Sequence, residues 1–249
     1  MDCFKKVILI QIFLLVSMLL FSCGAKHHLT DDIVYKDDAF AYNILKENGI
    51  IIGGLSSPVV ELSRQERIEY GSIMSNILID KMEDVHTIKI INTLQLVEKL
   101  GKQKYFEIIE NFDHAEMINR ENIQIIQDSI PDIKFMLLAS IENENIIDRS
   151  YQQYIEVDEK EQIETEYLKT YLLTINFQIY DLYQEKMVWH NVIYNQAEQS
   201  ETRTTGTGCL ESCMDDILQT IMLGPPAEIN RKEVIAKTVE KFAKDLAKA

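Results

Sequence analysis

Residues 171–190 read YLLTINFQIYDLYQEKMVWH, and this stretch decides the fold class. Tyr171, Leu173, Ile175, Phe177 and Ile179 take alternate positions, while Thr170, Thr174, Asn176 and Gln178 take those between. A period of two is the signature of a strand with one apolar face. A turn near Asp181 to Lys186 then leads into a partner strand, Met187 to Ala197, which holds the sole tryptophan, Trp189.

The elements around this hairpin follow from the same kind of pattern. Phe135 to Ala139 is a continuous apolar run without a period, as expected of a central strand covered on both faces. Ile50 to Leu55 is a short buried strand that ends in a turn at Ser56, Ser57 and Pro58. Ser63 is placed to cap a helix in which Ile73, Met74, Ile77, Leu78 and Met82 recur at helical spacing. His86 to Asn92 is strand-like, and Thr93 opens a helix that closes at Gly101. Lys102 to Phe112 and Arg120 to Ser129 supply further helical turns, interrupted near Asp113 and stopped by Pro131. Near the C-terminus Val234, Ile235, Thr238, Val239, Phe242, Ala243 and Leu246 form one stripe. The order predicts a single α/β domain over residues 45–249, with a mixed, partly antiparallel sheet packed by helices.

Charge narrows the partners. Forty acidic residues stand against 25 basic ones, a formal charge of -15, so a phosphate-rich partner would enter a repulsive field. Nucleic acid is not expected.

The N-terminus has the anatomy of an export signal. Lys5 and Lys6 precede an apolar run from Val7 to Phe21, broken only by Gln11 and Ser17. A membrane-spanning helix needs about 20 apolar residues, and this run is shorter. Leu20, Phe21, Ser22 and Cys23 resemble the lipobox of bacterial lipoproteins, with a branched apolar residue at -3, a small residue at -1 and a thiol at +1; Phe21 is bulkier than usual at -2. That resemblance implies a signal peptide over 1–22, a diacylglycerol thioether on Cys23 with palmitate-type chains, and a lipidated tether over 23–44. Its polar part, 24–38, would include His27 and His28. The alternatives are an ordinary signal peptide cut after Gly24 or Ala25, and an uncleaved anchor helix. Gly24, where many sorting signals carry aspartate, points to the outer membrane.

The element order resembles the family that includes the curli-secretion channel lipoprotein CsgG, the penicillin-binding-protein activator LpoB and the N-terminal domain of TolB. The lipobox, the early IIIGGLSSP, the pair PDIKFMLLASI and YLLTINFQIYDLYQEKMVWH, and the terminal helix carry the resemblance, with Asp181 and Trp189 at matching positions. The turn 182–186 lacks the Thr-Gly pair common in that family. The resemblance implies a lipid-anchored, periplasm-facing module that acts through envelope proteins or self-association. Curli-type channels also extend hairpins into a barrel, but Arg149, Gln152, Gln153 and Glu156 give residues 149–157 no face suited to lipid.

Catalytic and metal constellations are not legible. Five histidines include no HExxH spacing, and no serine or cysteine in a recognisable elbow accompanies Asp113 and His114. Glu156 to Glu166, with six acids and one lysine, lacks EF-hand spacing and is read as a solvated hairpin tip, with calcium as the alternative. Gly206 and Gly208 are not followed by Gly-Lys-Ser or Gly-Lys-Thr. The expectation is a non-enzyme with no cofactor and no metal. An envelope hydrolase is the rival.

Cys209 and Cys213 form a candidate disulfide, since an exported chain meets an oxidising compartment. Their four-residue spacing in a helix puts the α-carbons about 6 Å apart, so a bridge requires a loosened first turn, which Gly206 and Gly208 can supply. Two reduced core thiols or a metal pair are the alternatives. The following segment places Leu210, Cys213, Met214, Ile217, Leu218 and Ile221 on one helical stripe. Thiol alkylation of protein purified without reductant checks the bridge: protection of both residues is the expected outcome, and modification of both under denaturing conditions excludes it.

Overall fold

In β4 (Phe135–Val157) the seven residues from Phe135 to Ile141 are each 2% exposed or less. A strand so enclosed must be covered on both faces, and two helical layers do this. The computed structural model describes residues 25–82, 88–115, 117–157, 160–206 and 228–248. In chain order the strands are β1 (Lys26–Lys36), β2 (Ile50–Ser56), β3 (Ile90–Ile91), β4, β5 (Lys160–Asp181) and β6 (Lys186–Gly206). The helices are α1 (Tyr42–Asn48), α2 (Arg64–Lys81), α3 (Thr93–Leu100), α4 (Lys102–Ala115), α5 (Arg120–Ser129) and α6 (Arg231–Leu246).

The strands form one sheet in the order β1-β6-β5-β4-β2-β3. β2 runs parallel to β3 and to β4, with Ile50 opposite both Ile90 and Phe135. β5 and β6 are hydrogen-bonded neighbours joined by the four residues 182–185, a connection short enough only for an antiparallel pair. The chain therefore adopts the expected α/β class with a mixed sheet.

The chain divides into two compact units. Among the described residues, the larger holds 27–147, 170–197 and 228–248 with the six helices named above, and the smaller comprises 25–26, 148–157, 160–169 and 198–206.

In the larger unit each sheet face has its own core. On one, Phe135, Phe40, Trp189, Phe242 and Phe177 form a chain of ring contacts with centroids 4.1 to 5.8 Å apart. On the other, Met136, Leu138 and Tyr180 pack with Leu96, Tyr105, Ile109 and Ile126 from α3, α4 and α5. Burial pushes the Tyr180 hydroxyl up to about 12.

The double glycine of β2 has a steric origin. A Cβ at Gly53 would lie 2.6 Å from both Leu138 and Met136. Gly54 has φ +138, beside a register shift in the β2–β4 pairing, and a Cβ there would lie 2.6 Å from the Tyr105 hydroxyl. Ser63 caps α2 as expected, in a capping box with Glu66. α3 opens at Thr93 as expected, with Asn92 as its cap in a capping box with Gln95. Thr93 is buried and donates to the Ile52 carbonyl at 3.0 Å.

One segment departs from expectation. The polar residues predicted as a tether include β1, an edge strand beside β6. The Asp37 amide donates to the Val188 carbonyl, and His27 Nδ1 lies 3.2 Å from Asn195 Oδ1, so β1 runs antiparallel to β6. Ion pairs Lys241–Asp31 and Lys186–Asp37, both at 2.5 Å, add to this hold. An edge strand needs no apolar face to join a ladder, and periodicity therefore gives no sign of it.

Phe242 is fully buried between Phe177 and Trp189. Phe242→Ala is expected to lower unfolding stability by about 3–5 kcal/mol. Urea titration followed by Trp189 fluorescence measures it.

Candidate functional site

The carboxyl end of β2 continues into a loop that folds back on itself. Ser57 donates its amide to Asp113 Oδ1 at 2.9 Å, and its hydroxyl accepts from the Val60 amide. Asp113, on α4, meets Arg67 of α2 at 2.6 Å, with both side chains largely buried. Arg67 also donates through Nε to the Leu62 carbonyl. One carboxylate thus fixes the strand end, the loop and two helices. Asp113 and His114, adjacent in sequence, form no dyad: Asp113 turns inward to Arg67 and His114 is exposed. Adjacent helical positions do not face each other.

A second polar cluster lies where α6 begins. Arg231 pairs with Glu144 at 2.5 Å, lies over the Tyr70 ring at 5.4 Å and approaches Glu66 at 3.8 Å. The Tyr171 hydroxyl donates to the same Glu144 carboxylate, and burial together with that carboxylate pushes the phenol well above its usual range. This cluster ties α6 and α2 to the sheet. A phenol so raised supplies no base at neutral pH.

The described histidines do not converge. His27 joins Asn195, while burial pushes the His190 imidazole below its ordinary value. Among the described residues no group of three or more His, Cys, Asp or Glu side chains is arranged to hold a metal ion. Asp181 orders the β5–β6 turn by accepting from the Tyr183 and Gln184 amides, and it pairs with Lys134 at 3.2 Å. Cys23, Cys209 and Cys213, and the helical stripe expected over 210–223, lie outside the described residues.

Among the described residues the smaller unit has the ends of three strands, with β5 between β6 and β4. Gln153 bonds Glu164 across β4 and β5 at 3.0 Å, Lys169 approaches Asp148 at 3.7 Å, and Arg203 lies over the Tyr167 ring. Pairing of β2 with β4 stops at Ser56 opposite Ser140. Residues 141–157 of β4 therefore have no strand neighbour on that side among the described residues. Tyr151 and Tyr154 stand 54% and 77% exposed there. Residues 149–157 continue the strand that begins at Phe135, a continuity hidden in the sequence because the apolar run ends at Ile141 and polar residues follow.

Asp113→Ala, which leaves Arg67 buried without its partner, is expected to cost about 3–5 kcal/mol of stability. His114→Ala is expected to stay within about 0.5 kcal/mol of the parent. Denaturant titration of both variants tests the structural role of the pair.

No family model matches the sequence, and no curated protein matches it. Similar solved structures include the PelC dodecamer from Paraburkholderia phytofirmans, at 11% identity over 89% of this chain and 98% of that one, with a TM-score of 0.34. The hypothetical protein CT253 from Chlamydia trachomatis is 8% identical over 81% of this chain and 99% of its own, with a TM-score of 0.32. Lipoprotein GNA1162 from Neisseria meningitidis is 9% identical over 71% and 99%, with a TM-score of 0.27. These likenesses assign no function to the chain.

Proposed function

We propose that this chain is a bacterial envelope lipoprotein, anchored through Cys23 in the outer membrane and facing the periplasm, that works as a non-enzymatic docking or assembly module. The anchor rests on the lipobox-like Leu20–Cys23 and the short apolar run before it. No helix among the described residues is long and apolar enough to cross a membrane. The observation that carries the docking role is the β4 edge over 148–156 in the smaller unit, which has no strand neighbour on the β2 side among the described residues and carries the exposed Tyr151 and Tyr154. Such an edge takes an added strand through main-chain hydrogen bonds, and aromatic side chains supply contact area at low entropic cost. The partner is another envelope protein or a second copy of the chain.

A subunit of a curli-type secretion channel is the second reading. Its support is the length of β4, β5 and β6, at 23, 22 and 21 residues, well beyond the roughly 9–11 needed to cross a bilayer. Arg149, Gln152, Gln153 and Glu156 argue against lipid contact. Conductance across a planar bilayer separates the two readings, and the docking module is expected to give none.

Mass spectrometry of the mature N-terminus is expected to find acylated Cys23; an unmodified chain starting at Ala25 or Lys26 excludes the anchor. Crosslinking in intact cells is expected to capture a defined adduct. Tyr151→Glu with Tyr154→Glu should abolish that adduct and leave the Trp189 unfolding transition unchanged. An adduct that survives removes the β4 edge from the interface.

A further inference from the structure

β1 pairs with the sheet yet adds almost nothing to either core. None of its residues is buried; His27 and Leu29 are half-buried, and Ile33, Val34 and Tyr35 stay exposed although the strand is docked. The side-chain contacts that hold it include the ion pairs Lys241–Asp31 and Lys186–Asp37, and His27, which meets Asn195 of β6 and lies 3.8 Å from Glu233 of α6. Ion pairs near the surface contribute little and are screened by salt. A strand that buries so little apolar area has little to offset the conformational entropy it loses on pairing. β1 therefore lies at the low-stability end of the larger unit.

Its departure leaves the rest of that unit seated. Asn195 turns Oδ1 toward His27 but donates through Nδ2 to the Val234 carbonyl and the Thr238 hydroxyl, so α6 keeps its place on β6 without β1. The chain next meets a fixed point at Phe40, which is buried with its ring 5.6 Å from Phe135 and 5.8 Å from Trp189. Unpairing of β1 stops there. The position of the strand in the sequence turns this into a change of reach. Four residue steps separate Cys23 from His27, at most about 14 Å when fully extended, whereas seventeen separate it from Phe40, at most about 60 Å.

We infer that β1 is a releasable length of tether: paired with β6 it holds the larger unit on a short leash, and unpaired it lets that unit reach a partner farther from the membrane, with Phe40 as the fixed end. The inference rests on the Cys23 anchor proposed above, and the experiment separates the two.

The full-length acylated chain is reconstituted into phosphatidylcholine vesicles. Flotation reports the anchor, and hydrogen exchange read by mass spectrometry reports the strand. The expected result is that the chain floats and that even the slowest amides over 26–36 exchange at least about 30-fold faster than those over 171–180 of β5, with slow exchange resuming at Phe40. Raising the salt from about 0.05 M to about 1 M is expected to speed the β1 amides roughly fivefold. Asp31→Lys, which sets a cation against Lys241, is expected to speed them about fivefold at low salt, and Asp31→Glu to stay within about twofold of the parent. A floating chain whose β1 amides are as slow as those of β5, or indifferent to both salt and Asp31→Lys, overturns the release while the anchor stands. A chain that does not float overturns the anchor and the tether with it.

Discussion

The larger unit depends on the packing of Phe242 against Phe177 and Trp189. The Phe177 and Phe242 rings stack at 4.1 Å, and Trp189 continues the contact at 5.5 Å on to Phe40 and Phe135. Five rings from five segments meet there, so the final helix is held by residues from β4, β5, β6 and the approach to α1. Aromatic pairs add about 0.5–1.5 kcal/mol each beyond the area they bury. Remove α6, and one apolar face of the β5–β6 hairpin loses its cover.

Polar contacts set the register of what the aromatic core holds together. Asn195 donates to the Val234 carbonyl and Thr238 hydroxyl, fixing the rotation of α6 on β6. On the β2 side, the Thr93 hydroxyl donates to the Ile52 carbonyl and the Thr93 amide donates to the Ser75 hydroxyl oxygen, while Gly71 of α2 allows the close approach. Buried polar groups that are hydrogen-bonded in this way favour one arrangement over slipped alternatives. The Arg67–Asp113 pair does the same for the loop after β2. It follows that the conspicuous acid beside a histidine in the sequence is a packing element.

Most of the larger unit was legible because its apolar patterns are strong. Phe135–Ala139, the alternation from Tyr171 to Ile179 and the stripe from Val234 to Leu246 each reproduce the buried set of an observed element. What escaped the sequence shares one physical cause, since hydrophobic periodicity reports burial rather than backbone pairing. β1 has no buried residue, and the ribbon over 148–157 is largely exposed on both faces, so nothing in side-chain pattern distinguishes either from a solvated loop. The buried faces of Asn176 and Gln178 were missed in the opposite sense, as polar side chains on the side of β5 expected to meet water. The candidate docking edge lies in the ribbon, where the signal is weakest.

The edge position of β1 has a kinetic consequence. His27 meets Asn195 across 168 residues of chain. The length-dependent part of closing such a loop is about 4.5 kcal/mol, against little apolar area gained by a strand so exposed. β1 therefore docks late, onto a β6 already paired with β5. During synthesis from the N-terminus this segment remains unpaired until β6 has emerged, well after the helices around β2 have had their partners. Of the described strands, the first in sequence is expected to be the last to join the sheet.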